Sequence, residues 1–379
     1  MSRPRVLVLR GHQANRMELR AWEHMRDEFD VTVVTTKRGV NEIQGLNVAT
    51  QTVSTRRDLL PRGRAGDLAV HLPGDGYRGL EAALENADIV HSAEIGPWLS
   101  AQPARHKATF GYRLVLTMWE TIPFHHAFRT RRAGVNRDVT IPATDLFLPT
   151  TERAANCLRL EGVNEERIEV CFPGIDTTRF QIPRNVDEAA DPIVLSPGRL
   201  VWEKGHQDTM RAIAALCRGI VRRTDGSTTR PRLAIVGGGP DEKRLRQYAA
   251  DLGITDRVTF HQHVPYDQMP NLFAAAHCMV LASLPLWHWE EQFGLVLAEA
   301  MAGGTPIVAA RSGAIPEVID AAGLLFEPGD WMDLARLLAN GPLGNPPSNP
   351  PTRPDLVELY SSEAYASRIA AAYRRVLAS

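Results

Sequence analysis

Cysteine is scarce: four residues in 379, at Cys157, Cys171, Cys217 and Cys278. They are scattered, none forms a Cys-x-x-Cys pair, and no histidine cluster lies beside them. That argues against a zinc site and against a disulfide framework. Asp-x-Asp is missing from the whole chain, so a ready carboxylate pair for a divalent ion is missing too. No apolar run reaches the roughly 18 residues of a membrane span. Met1 to Arg10 runs straight into a strand-like segment with no secretory leader. The expected location is therefore the cytoplasm, at most on a membrane surface. Excess charge of either sign is also lacking, with 43 Lys and Arg against 44 Asp and Glu. Nothing global calls for nucleic acid or a strongly acidic substrate. A complete Gly-x-Gly-x-x-Gly does not follow the first strand, which disfavours a nicotinamide dehydrogenase.

What is present is a repeated alternation of short apolar runs and amphipathic stretches. The length exceeds one ordinary core, and two domains are the natural division. Strands are predicted at Arg5–Arg10, Val31–Thr36, Asp88–His91, Arg113–Thr117 and Asp145–Leu148. Helices are predicted at Arg16–Asp27, Tyr77–Asn86, Trp98–His106 and Thr151–Leu160. Short apolar strands of this kind suit a parallel sheet buried on both faces. Phe172-Pro-Gly-Ile-Asp176 and Gln181–Pro192 read as a linker, after which the pattern restarts. Strands at Ile193–Ser196, Leu233–Val236, Val258–Phe260, Met279–Ala282 and Pro306–Ala309 alternate with helices up to Gly294–Met301. After the break at Gly341–Pro354, a last helix is predicted over Leu356–Leu377. The reading is two doubly wound α/β domains, residues 1–180 and 192–355, with a closing segment 356–379. In open α/β sheets, ligands bind beyond the carboxyl ends of the strands. The expected site is a central cleft that both domains face.

Three segments carry chemistry. Ser196-Pro-Gly-Arg-Leu-Val-Trp-Glu-Lys-Gly205 lies between a strand and a helix. Gly198 and Gly205 permit tight turns, and Arg199 and Lys204 could both aim at one anion. The bland alternative is two surface cations in a loop. In the second segment, Trp289 to Pro306, Glu291 precedes a helix and Glu299 lies inside it. The two are up to roughly 12 Å apart along the axis. Gly294 sits at the helix start, where free amides attract anions. That span suits a sugar nucleotide; the alternative is that Glu291 caps the helix and Glu299 is an exposed helical acid. The third, Val236-Gly-Gly-Gly-Pro-Asp241, is a glycine turn that packing explains equally well. Two basic clusters remain: Arg56, Arg57, Arg62 and Arg64, and Arg129, Arg131, Arg132 and Arg137. They are either solvated loop charge or a surface for an anionic acceptor or a membrane.

In this order the segments resemble retaining glycosyltransferase family 4, a GT-B fold of two Rossmann-like domains. The most specific parts are Gly-Arg-Leu-Val-x-Glu-Lys-Gly and Glu-x-Phe-Gly-x-x-x-x-Glu-Ala-Met-Ala-x-Gly. Pro173-Gly-Ile-Asp176 and Gly313-x-Ile-Pro-Glu-Val318 support them. The resemblance implies an N-terminal acceptor domain, a C-terminal donor domain, and a final helix returning to the first. It implies that Arg199 and Lys204 hold the donor diphosphate, with Gly198 and Gly238 lining its loops. Glu299 would bond the ribose and Glu291 the donor sugar. Amides around Phe293, Gly294 and Leu295 would hold the sugar and distal phosphate, and Gly11 would approach the donor. Glu317 would fix a turn. Two departures stand out. Gln262, between His261 and His263, replaces a usual glycine near the base. The usual histidine after the fifth strand is absent from Thr117 to His126, where Glu120, His125 and His126 are candidates to replace it. Glu94 and Trp98 are further acceptor-side candidates.

The implied reaction is retaining, metal-independent and cofactor-free, with a nucleotide-diphosphate sugar as co-substrate. The acceptor would be a carbohydrate, a lipid or a small molecule. Catalysis would rest on Glu291, Arg199 and Lys204. Because such groups line a cleft, their substitution should leave stability unchanged. Rival readings are a sugar-nucleotide epimerase or phosphorylase on the same fold, and a non-catalytic partner subunit.

Overall fold

In the computed structural model, residues 3–38, 40–60, 75–262, 264–349 and 351–379 are described. Arg62, Arg64 and His263 lie outside them. The chain forms two units, Met1–Ile175 with Leu359–Ser379, and Asp176–Glu358.

The first unit holds a seven-stranded sheet: β1 Arg5–Leu9, β2 Asp30–Thr36, β3 Ala49–Thr55, β4 Tyr77–Arg78, β5 Ile89–Ala93, β6 Arg113–Met118 and β7 Leu146–Pro149, in the order β4-β3-β2-β1-β5-β6-β7. All neighbours run parallel except β3 and β4. The sequence order reverses between β1 and β5, so a crevice is expected beyond their carboxyl ends, at Gly11 and Glu94. Helix α1, Arg16–Glu23, starts where the Asn15 side chain accepts from the Glu18 amide, and it buries Leu19, Ala21 and Trp22. Helix α2 is Trp98–Phe110 and helix α3 is Arg131–Ala143.

The second unit holds β8 Ile193–Pro197, β9 Arg232–Val236, β10 Val258–His261, β11 Cys278–Leu281, β12 Ile307–Ala310 and β13 Gly323–Phe326, in the order β10-β9-β8-β11-β12-β13. Every pair is parallel. Its reversal lies between β8 and β11, where the turn 198–205 and Ser283 follow. Helix α4, His206–Cys217, and helix α5, Leu295–Ala302, flank that point. Two doubly wound α/β units are thus present, the fold class expected from the alternation.

The last helix, α6 Ser362–Ala378, is part of the first unit's core. Its Tyr365, Ile369, Tyr373 and Val376, spaced four, four and three apart, are buried together with Trp22 and Phe29. The Tyr373 hydroxyl accepts from Trp22 Nε1 at 3.0 Å and contacts His91 Nδ1 at 2.6 Å. Gly174 explains part of the Pro-Gly-Ile-Asp motif: a Cβ there would lie 2.4 Å from the Ser361 carbonyl oxygen. That close approach lets Ile175 and Ser362 exchange backbone hydrogen bonds with the returning chain.

Several predicted elements differ. Tyr77–Asn86 is not one helix: Tyr77–Arg78 joins the sheet and only Glu81–Leu84 is helical. The closing segment is two helices, Pro354–Leu359 and α6, because Ser361 takes an extended backbone and caps α6 by accepting from the Ala364 amide. Arg131–Ala143, read only as basic charge, is helical, and its buried residues are the polar Asn136 and Thr140.

Candidate functional site

The turn after β8 is built by glycines. Gly205 has φ +67°, and a Cβ there would lie 1.8 Å from the Ala282 carbonyl oxygen. Only glycine lets this turn press against the chain leaving β11. The Leu284 amide then donates to the Glu203 carbonyl at 2.8 Å. His206 fastens the turn from beneath: its ring contacts Ser196 Oγ at 2.8 Å and the Arg199 carbonyl at 3.1 Å. Burial pulls its pKa down to about 4, so it is neutral at physiological pH.

This packing brings Lys204 to Glu291. Lys204 Nζ donates to Glu291 Oε2 at 2.7 Å, and Ser283 Oγ donates to the same oxygen at 2.7 Å. The side chains of Lys204 and Glu291 are only 14% and 8% exposed. Lys204 Nζ also lies 4.9 Å from the centre of the Trp289 ring. The backbone of Glu291 is clamped by Gly313, where a Cβ would meet the Glu291 carbonyl oxygen at 2.1 Å, and by the Ala314 amide at 2.8 Å. Glu291 is therefore a member of a charged cluster and not a helix cap. The cap position of α5 is Gly294, at φ +78° and with no capping side chain. Its first amides thus keep their anion-binding capacity. Phe293 is buried and can offer only its backbone there. Arg199, in the same turn as Lys204, is exposed and forms no ion pair among the described residues.

Glu299, inside α5, is 2% exposed. It is not a surface acid. The Tyr266 hydroxyl donates to its Oε1 at 3.0 Å. Burial raises its pKa to about 7, and the Tyr266 bond opposes that only in part. Glu299 and Glu291 are both buried, which contradicts the premise that these groups line an open cleft, and their substitution is therefore expected to alter stability. In the glycine run after β9, Gly237 and Gly239 press on the carbonyls of Gly198 and Leu200, whereas nothing lies near a Cβ at Gly238. Packing accounts for two of the three glycines, and Gly238 faces open space.

In the first unit, Gly11 has φ +58°, and its amide donates to the Tyr77 hydroxyl at 2.9 Å. Trp98 stands edge-on to Tyr77 and to His12. Glu94 holds φ +64°, rare for a residue with a side chain. Its Oε1 accepts from the amides of Trp119 and Glu120, tying the ends of β5 and β6. Burial raises its pKa to about 8, partly offset by the Trp119 bond, and Oε2 is buried without a hydrogen bond. Glu120 turns back on its own loop, accepting from the Thr121 and Ile122 amides. His125 Nδ1 accepts from the Ala127 amide, and the ring of exposed His126 lies tilted against the His125 ring at 4.6 Å between centroids. Glu94 and Trp98 stand at the sheet reversal, while Glu120 and His125 hold their own loop.

Ser283, Trp289, His206 and Tyr266 belong to the second unit's site and were missed. Ser283 had one available signal, its position just beyond the strand at the reversal. Among the described residues, no group of three or more His, Cys, Asp or Glu is arranged to hold a metal ion. No described helix is long and apolar enough to cross a membrane.

Comparison with known proteins gives two family matches. Residues 19–179 match Glycosyltransferase Family 4, and residues 177–340 match Glycosyl transferases group 1. A D-inositol 3-phosphate glycosyltransferase of Acidothermus cellulolyticus is 31% identical over 330 residues, 75% of this chain and 71% of that protein. A GDP-mannose-dependent alpha-(1-6)-phosphatidylinositol monomannoside mannosyltransferase of Mycobacterium tuberculosis is 36% identical over 162 residues, 40% of each chain. Among solved structures, Anabaena HepE in complex with UDP and glucose aligns with TM-score 0.73 and 18% identity, covering 98% of this chain and 100% of that one. Sucrose-phosphate synthase from Thermosynechococcus elongatus aligns with TM-score 0.72 and 20% identity, covering 99% and 100%. At these identities the structures establish a shared GT-B fold.

Proposed function

This chain belongs to glycosyltransferase family 4, and from that premise we propose a retaining, metal-independent transfer of a sugar from a nucleoside-diphosphate donor to an acceptor hydroxyl. The observation that carries the proposal is the cluster of Lys204, Ser283 and Glu291 beside the uncapped start of α5. A cation, a hydroxyl and free amides are fixed there by glycine packing before any ligand arrives. That is the preorganised electrostatics a departing diphosphate needs.

Lys204 and Arg199 neutralise the diphosphate, whose charge grows as the glycosidic bond breaks. Glu291, oriented by Lys204 and Ser283, holds donor-sugar hydroxyls and stabilises positive charge at the reacting carbon. Glu299 and Tyr266 receive the ribose. The acceptor hydroxyl attacks on the face the leaving group vacates, and a diphosphate oxygen takes its proton. Glu291 need not become covalently bound. Metal independence is supported by the absence of Asp-x-Asp and by the cations already in place. The acceptor, a carbohydrate, lipid or small molecule, is taken by the first unit near Gly11, Glu94 and Trp98.

A thermal-shift and transfer screen across UDP-, GDP-, ADP- and TDP-sugars, with and without EDTA, tests this. One nucleotide should stabilise the protein, and product should form in chelator with the donor's anomeric configuration. Stabilisation by none of them overturns the donor assignment. Complete loss in EDTA, restored by Mn²⁺ or Mg²⁺, overturns metal independence.

A further inference from the structure

A groove of about 550 Å³ in the second unit is lined by none of the residues given roles above. That volume lies within the range of small-ligand sites. One wall is Val201 and Trp202, from the turn that carries Arg199 and Lys204. The other is the helix Glu242–Asp251, with Pro240 and Asp241 before it, and α4 adds Gln207 and Arg211. Two aromatic rings line the groove, and each carries a guanidinium. Arg244 lies 4.4 Å from the centre of the Trp202 ring, and Arg211 lies 5.4 Å from that of Tyr248. Trp202 still keeps 39% of its surface exposed. A flat ligand can stack on such rings and on the guanidinium planes.

The charges of the lining are mixed, and only some are answered within the protein. Arg211 is taken up by Asp208 and by the Tyr248 hydroxyl. Asp251 accepts from the Gln247 side chain at 2.9 Å. Lys243, Arg244 and Asp241 form no ion pair among the described residues. Asp241 stands at the cap position of its helix, yet its side chain makes no capping bond. Two cations and one carboxylate thus fall within four consecutive residues, beside an aromatic wall. A ligand with an anion alone leaves Asp241 unanswered, and one with a cation alone leaves Lys243 and Arg244 unanswered. An aromatic zwitterion answers all three, and the open amides at the helix start favour its carboxylate.

We infer that this groove is an effector site for a free aromatic amino acid, its ring on Trp202 and Tyr248, its carboxylate on Lys243 and Arg244, and its ammonium on Asp241. The site is joined to the donor turn by the chain itself. The Asp241 amide donates to the Leu200 carbonyl at 3.0 Å, and Gln207 Nε2 donates to the Trp202 carbonyl at 3.2 Å. An occupant that touches Asp241 and Trp202 therefore braces the turn that holds Arg199 and Lys204. Bracing lowers the cost of ordering that turn around a ligand. Occupancy should tighten nucleotide binding, and the nucleotide should tighten the effector by the same factor. This coupling rests on the donor reading, whereas binding of the amino acid does not.

The test titrates L-tryptophan, L-tyrosine and L-phenylalanine into the full chain by calorimetry. Tryptamine, which lacks the carboxylate, and indole-3-propionate, which lacks the ammonium, are the matched controls. At least one amino acid should bind saturably, and the zwitterion should bind at least tenfold more tightly than either control. K243Q/R244Q and D241N should each weaken that binding at least tenfold, and R244K should keep most of it. Lys243 and Arg244 are exposed, so the melting temperature and the nucleotide affinity without effector should stay at wild-type values in K243Q/R244Q. Saturating amino acid should tighten the cognate nucleoside diphosphate at least threefold in wild type and not in K243Q/R244Q. Binding of none of the three amino acids overturns the inference, as does equal binding of a control or undiminished binding in K243Q/R244Q. Binding with no change in nucleotide affinity overturns the effector role. Failure to bind any nucleoside diphosphate, with amino-acid binding intact, would instead count against the donor reading, so the two failures are distinguishable.

Discussion

Replacing Glu299 by glutamine should make the protein more stable above neutral pH while harming its function. Glu299 has a folded pKa of about 7 against an ordinary value of 4.5, raised by burial. A raised acid favours the folded state most when protonated. That contribution is fully present below about pH 4.5 and is lost as pH climbs through 7. At about 1.4 kcal/mol per pH unit, the wild type loses about 2.5 kcal/mol from this one group between pH 5 and pH 8. Glutamine cannot ionise, and its Oε1 can still accept from Tyr266. Glu299→Gln should therefore match wild type near pH 5 and exceed it at pH 8 by about 2 kcal/mol, a rise of several degrees in melting temperature for a unit of this size. Thermal melts of both proteins across pH 5–8, without ligand and at fixed salt, measure it. A variant whose deficit or gain is the same at both ends refutes the claim that this carboxyl is ionised at a cost. Retention of a costly buried acid fits a site that spends stability on binding.

Three further outcomes follow from the geometry. Glu291→Gln should cut turnover by on the order of 10²–10³, and it should also lower stability by up to about 3 kcal/mol, because it leaves the Lys204 cation buried without its counter-charge; steady-state kinetics and a denaturant melt read the two effects. Ser283→Ala removes one donor from Glu291 and should lower kcat roughly tenfold with a stability change of about 1 kcal/mol, so an equal rise in KM with kcat unchanged would assign Ser283 to uniform binding instead. Gly205→Ala should destabilise by about 3 kcal/mol or more, since a Cβ would overlap the Ala282 carbonyl at a strained φ; a soluble, fully active alanine variant would mean the turn can shift freely.

The alternation of apolar runs made both sheets legible, because strands such as Val6–Leu9 and Cys278–Leu281 are buried on both faces. Elements without that signature were not legible. Ala49–Thr55 is rich in threonine and exposed over its first half. Arg131–Ala143 carries Gly134 and Pro142, and the residues it buries are polar. Tyr77 reads as the start of a helix, yet its hydroxyl is needed at Gly11, which only the folded chain reveals. At the site, Arg199, Lys204, Glu291 and Glu299 stood out by spacing, but how they are joined did not. Lys204 and Glu291 are 87 residues apart, and Gly205 and Gly313 create their meeting by close backbone approach. Ser283, Trp289 and Tyr266 are ordinary residues in sequence and gain meaning only from what they touch. Burial was the other hidden quantity. Glu299 and Glu291 look alike as acids near one helix, yet one is held by a cation and the other by a tyrosine.

The central claim is that these two carboxylates divide the donor, Glu299 taking the nucleotide and Glu291 the reacting sugar. Calorimetric titration of the cognate nucleoside diphosphate into wild type, Glu299→Ala and Glu291→Gln tests it most directly. Glu299→Ala should bind at least tenfold more weakly than wild type, having lost the charge-assisted bonds to the ribose. Glu291→Gln should bind within about threefold of wild type, since the diphosphate alone carries no sugar for it to hold. Unchanged affinity in Glu299→Ala, or loss of nucleotide binding in a folded Glu291→Gln, would contradict the division.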